Sequence, residues 1–257
     1  MIDRRKLSES FERYIGGYDP SDERIALKVL HTHKVAENCD ALSEGLGLTD
    51  RDRDLAWAIG MLHDIGRFEQ VARTGSFIDS AASDHASAGV DYLFGRGAVR
   101  NFIEDLSEED TGIIRTAIAQ HNRHVLPDDL TGRELMHCRI IRDADKLDIF
   151  RVCLENSFEV AHEYPAEVVR NSEVSQAVIE CFEKTETLDY SKRKQPADIF
   201  LGHIAMCFGL YYPFSRNLAA SQGYIARMMD FTFADPDMQK KFERMKEQTE
   251  RFLNCNK

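Results

Sequence analysis

An all-α fold is predicted for this chain of 257 residues. Three observations carry the prediction. No proline occurs between Pro20 and Pro127, and across that span apolar residues recur at steps of three and four, the spacing of one helix face. The periodic stretches open on Ser, Thr or Asp with acids nearby and close on glycine, which suits helix starts and ends. No run alternates apolar and polar residues between turn signals, as a half-buried strand would.

The first periodic stretch, SDERIALKVLHTHKVAENCDALSEGLGL, starts at Ser21 as the cap and ends at Gly45 and Gly47. TDRDRDLAWAIGMLHDIG follows, capped by Thr49 or Asp50 and stopped at Gly66. RFEQVARTGSFIDSAAS, residues 67–83, reads as the longest irregular piece, and loops of that length are often functional. A short helix, SDHASAGVDYLFG, ends at Gly95. SEEDTGIIRTAIAQHNRH opens on Ser107 and three acids, which favour a helix N-terminus. A long helix is predicted from about Arg133 to Glu163, stopped by Pro165, with further helices broken near Pro196, Pro213 and Pro236. LGHIAMCFGLYYPFS reads as core, and the run Lys192–Arg193–Lys194 as a solvated loop. No linker or repeat divides the chain. The expectation is one domain over 1–257, with a site-bearing core at about 25–150 and C-terminal helices at about 165–257 packed on it.

The net charge is −11. A general grip on nucleic-acid backbone needs a basic surface and is not expected. Six cysteines are scattered without a C-x-x-C pair, which argues against a zinc ribbon or redox motif. No apolar run reaches the ~18–20 residues of a membrane span, and MIDRRKLSES leads into no apolar segment. A reduced, cytoplasmic protein is expected.

Several histidines and aspartates fall on apolar faces. His31 shares a stripe with Leu27, Val35, Cys39 and Leu42, whereas His33 shares one with Glu37 and Asp40 and points outward. His63 and Asp64 follow Ile59 and Leu62; a charged Asp among such residues is costly unless something pairs with it. His85 stands over Gly89 and Leu93, His121 follows Ile114, Ala117 and Ile118, and Asp145 lies with Cys138, Ile141 and Ile149. His31, His63, Asp64, His85, His121 and Asp145 are therefore candidate metal ligands. Imidazole and carboxylate suit Zn, Mn, Fe or Ni. Four of the six would hold one ion; all six would hold two, with a carboxylate bridging. A pair of ions suits displacement at phosphorus. His124 and His137 read as surface or supporting residues, His162 and His203 as packing or surface, and Asp143 and Asp148 as solvated or ion-paired.

The ordered set H…HD…D, carried by HTHKV at His31, MLHDIG at His63 and Asp64 and DADKL at Asp145, resembles the HD superfamily of metal-dependent phosphohydrolases. The matching region is about Ile25 to Phe150. The resemblance implies an HD-domain-like helical bundle with additional C-terminal helices and a metal quartet of His31, His63, Asp64 and Asp145. His85 and His121 match the two further histidines of members that bind two ions. QHNRHVLPDD lacks the paired histidines and Gly-Tyr-Pro signature of the cyclic-dinucleotide branch.

The implied activity is metal-dependent hydrolysis or phosphodiester cleavage of a small phosphorylated molecule, such as a nucleotide. One or two divalent ions per chain (Fe, Mn, Ni, Zn or Mg) would activate water. Asp64, Arg67 and Lys146 are the candidate catalytic residues, with Arg67, Lys146 and Arg123 as phosphate contacts, a task for which the guanidinium fork is well shaped. The rival readings are a di-iron oxygenase of the same fold, which the six-ligand pattern also resembles, and a non-catalytic metal-binding protein. A homo-oligomer is compatible with the sequence.

Overall fold

The computed structural model describes residues 1–75 and 84–254, and they contain helices and no strand. The fold is all-α. Two units divide the chain, Met1–Asp145 and Lys146–Lys257.

The first unit begins with a helix ahead of Ser21, α1 (Arg4–Ile15), capped by Asp3. Its periodicity rests on little more than Leu7 and Phe11, both fully buried. In α2 (Glu23–Gly45) the cap is Asp22, which accepts from Arg24 N. Ser21 is otherwise engaged: its backbone N–H and hydroxyl both donate to the Asp19 carboxylate. Of the expected inward stripe, His31, Val35, Cys39 and Leu42 are buried, while Leu27, one turn nearer the start of α2, is only half-buried. Thr49 caps α3 (Asp50–Leu62). Gly60 of α3 sits against Ala36 of α2, where a Cβ would lie 2.7 Å from Ala36 Cα.

Gly66 does not end a helix. It lies inside α4 (Ile65–Thr74), which replaces the first part of the predicted 67–83 loop; residues 76–83 lie outside the described residues. Three buried apolar positions, Ile65, Phe68 and Val71, drive α4, each worth about 1.5–3 kcal/mol when removed from water. The glycine serves a close crossing. A Cβ on Gly66 would collide with the backbone oxygen of His85 and come 2.5 Å from Gly89 N. His85 and Gly89 belong to α5 (His85–Val90), capped by Asp84 and continued by a π turn to Gly95. Ser107 caps α6 (Glu108–Gln120).

The boundary between the units falls within α7 (Gly132–Glu155). The predicted helix to Glu163 is two helices. Asn156 closes α7 by an N–H bond to Val152 O, and Ser157 caps α8 (Phe158–His162). The second unit continues with α9 (Ala166–Arg170), α10 (Gln176–Lys184), α11 (Pro196–Ala205), α12 (Pro213–Gln222), α13 (Tyr224–Met228) and α14 (Pro236–Asn254). Pro196, Pro213 and Pro236 are thus first residues of helices, where the missing N–H costs nothing. Its core includes Phe182, Phe200, Leu201, Ile204 and Phe242. LGHIAMCFGLYYPFS is core over Leu201–Phe208, while Tyr211 and Phe214 are exposed. Arg193 departs from the solvated reading: its guanidinium stacks over Tyr190, 4.0 Å from the ring centre, and lies beside Gly202. No described helix is long and apolar enough to cross a membrane. The five described cysteines are free.

Candidate metal centre

Asp64 sits at the junction of two helices. His63 ends α3 and Asp64 begins α4. The Asp64 carboxylate makes no capping bond to α4; it turns to its neighbours instead. Its Oδ2 faces the Nε2 atoms of His31 and His63, each at 3.7 Å. Its Oδ1 faces His85 Nε2 at 3.3 Å and His121 Nε2 at 3.7 Å. Asp145 joins the first side, with Oδ1 3.2 Å from His31 Nε2 and 4.0 Å from His63 Nε2. The structure therefore brings all six sequence-predicted ligand residues together. Two trios, His31–His63–Asp64 and Asp64–His85–His121, have the spacing of metal-holding groups, and Asp64 belongs to both.

The helix ends set the direction of the rings. His63 Nδ1 is 2.7 Å from Gly60 O, and His121 Nδ1 is 2.7 Å from Ile118 O. A carbonyl only accepts, so each Nδ1 carries the proton and each neutral ring presents Nε2 as a lone pair. His63 Nε2 is fully buried and has no hydrogen-bond partner. The Nε2 atoms of His85 and His121 meet at 3.0 Å. A buried orphan acceptor is costly in a protein interior, and a divalent ion is the partner that imidazole lone pairs and carboxylates of this arrangement suit. The residues fit such an ion.

Charge is compressed here. Burial is the largest influence on His63, holding its pKa at about 3 against the pull of Asp64 and Asp145. Burial acts upward on Asp64, but Lys28, His63, His121 and His85 together outweigh it and keep the carboxyl well below its usual range. Asp145 behaves alike, with burial outweighed chiefly by His31.

The HD domain family model matches residues 29–149. This stretch is an HD domain. It contains all six ligand candidates, and HD domains are in general metal-dependent hydrolases. No curated protein and no solved structure matches the chain.

Around the HD domain's cluster, Arg67 is 9 % exposed; its Nη1 donates to Gln70 Oε1 at 2.6 Å and its Nη2 lies 3.1 Å from His85 Nε2. Arg123 pairs with Asp84 at 2.7 Å and is half-exposed. Asn122 donates to the same carboxylate, so the end of α6 is tied to the start of α5, beside His85. Lys146 follows Asp145 but belongs to the second unit, where its stem lies beside Gly209. His124 is exposed and His33 partly so, near Glu12. His137 is buried with Nε2 3.2 Å from Asp52, and Asp148 is paired with Arg151.

Sequence reasoning missed Lys28. Its ammonium lies 2.7 Å from Asp64 Oδ2, with the side chain 14 % exposed. The signal was present: Lys28 is three residues before His31 on one helix, and such residues share a face.

Proposed function

We propose that the chain hydrolyses phosphate esters of a small molecule, with His31, His63, Asp64, His85, His121 and Asp145 as its metal ligands. The observation that carries this reading is the pair of trios sharing Asp64, each carboxylate oxygen turned to a different trio. With ions present, Asp64 would be a ligand in both trios. When bound, divalent ions supply Lewis acidity and a water nucleophile at neutral pH, and a pair of them stabilises both oxygens of an in-line displacement.

The chain's own groups do the remaining work. His63 and His121, fixed as Nδ1–H tautomers by backbone carbonyls, keep their lone pairs inward without reorganisation. Asp64, with Asp145, offsets the positive charge of the ions. Arg67, buried and braced by Gln70, offers a charge-assisted contact to a phosphoryl oxygen. Arg123 would bind phosphate by exchanging its Asp84 partner. The net charge of −11 supports a small substrate over a polyanion.

The test is metal content per chain and turnover on a panel of phosphomonoesters and diesters, with Asp64→Ala alongside. The expected outcome is about two ions fewer in the variant, together with loss of the wild-type turnover. Hydrolysis that persists in Asp64→Ala, or substrate-dependent oxygen uptake in place of hydrolysis, overturns the proposal.

A further inference from the structure

In the second unit, Cys153 of α7, His162 at the end of α8 and His203 of α11 converge. One ligand atom from each lies within 4.8 Å of those of the other two. The two imidazoles approach most closely, Nδ1 to Nδ1 at 2.9 Å. Cys153 and His162 are 4 % and 1 % exposed. Phe158 and Phe200 wall the cluster, with ring centres 4.4 Å and 5.1 Å from that of His162.

We propose that Cys153, His162 and His203 form a binding site for a zinc-type ion, a use of this unit that owes nothing to the HD domain's ligand set.

The donor chemistry selects the ion. The trio offers a thiol and two imidazoles and no carboxylate, which suits borderline-soft cations such as zinc and not magnesium or calcium. Burial keeps both imidazoles in the neutral, ligating form: His162 is held at about 4, and His203 well below its usual value. The backbone of Cys153 pulls the His162 value the other way, but burial outweighs it. Burial pushes the Cys153 thiol up to about 12, with Arg193 pulling it the other way. On binding, the S–H bond breaks, the sulfur–metal bond forms with the sulfur's electron pair, and the proton passes to solvent. Arg193 favours that thiolate, and Glu163 and Asp198 offset its charge. Three protein ligands leave a fourth position for water.

Cobalt(II) reports the site directly in the full-length chain freed of metal by chelation. A thiolate–cobalt bond gives a near-ultraviolet charge-transfer band, and the six proposed ligands of the HD domain include no thiol, so this reading stands or falls apart from theirs. The band is expected in the wild-type chain, removed by competing zinc, retained in Cys39→Ala, and lost in Cys153→Ala and Cys153→Ser. His203→Gln is expected to weaken zinc binding by at least roughly tenfold, the least that loss of even an outer partner costs. Absence of the band from the wild-type chain, or its survival in folded Cys153→Ser, overturns the site and leaves a histidine pair that shares one proton.

Discussion

At the scale of single residues, the Asp64 carboxylate organises the first unit, and Lys28 is its nearest cation. Removing one partner from a buried pair costs about 3–5 kcal/mol, and Lys28, being partly exposed, belongs at the lower end. Lys28→Met is therefore expected to destabilise the metal-free chain by about 3 kcal/mol. Adding a divalent ion should recover most of that loss, because the ion then compensates Asp64. Urea unfolding with and without manganese reads this, and an equal loss in both conditions would refute it. Arg67 gives a second expectation. Its fork spans Gln70 and His85, which a single ammonium cannot do. Arg67→Lys should keep its metal content yet lose about 2 kcal/mol of transition-state binding, roughly 30-fold in kcat/KM. The convergence of His31, His63, Asp64, His85, His121 and Asp145 was legible in the sequence because imidazoles and carboxylates on apolar stripes stand out. Lys28 was not, because a lysine reads as a surface residue until its carboxylate is located in space.

At the scale of elements, two glycines in helices predict opposite signs. Gly66 has no room for a Cβ between α4 and α5, whereas Gly112 in α6 has nothing within 4 Å. Gly66→Ala should cost about 1–3 kcal/mol through overpacking and weaken metal binding by displacing His85. Gly112→Ala should stabilise by about 0.5–1 kcal/mol through helix propensity. Chemical denaturation of the two variants checks the pair, and a stable Gly66→Ala with intact metal content would show that α4 and α5 can separate freely. The same glycine explains why α4 was read as loop. Glycine after an apolar run signals a helix end, and only the packed neighbour reveals a crossing. The split between α7 and α8 escaped for the converse reason: Pro165 is a loud stop, and the quiet one, Ser157, acts eight residues earlier as a cap.

At the scale of the whole molecule, the α character follows from periodicity and from the absence of proline between Pro20 and Pro127, and the helices fall where apolar faces demand. The grouping into two units could not be read, since α7 crosses the boundary without a break in pattern. Stability should be acid-sensitive through His137, a buried histidine outside both clusters. His137 sits below its ordinary 6.5 because burial outweighs the attraction of Asp52. Below about pH 6.5 the unfolded chain takes up a proton that the folded chain refuses. The contribution of His137 is thus complete above pH 6.5 and is lost as pH falls from there towards its lower folded value. His137→Gln should flatten the decline of urea stability between about pH 7 and 5, measured in chelated protein. Parallel declines for variant and wild type would remove His137 from the account.

His63 and His121 take their ring orientation from main-chain carbonyls three residues back, not from neighbouring side chains. That choice has an evolutionary consequence. Exchanging a side chain around the cluster leaves both of those carbonyls in place, provided the last turns of α3 and α6 stay wound. The direction of the rings is inherited with the backbone, and the side chains around them are free to diversify.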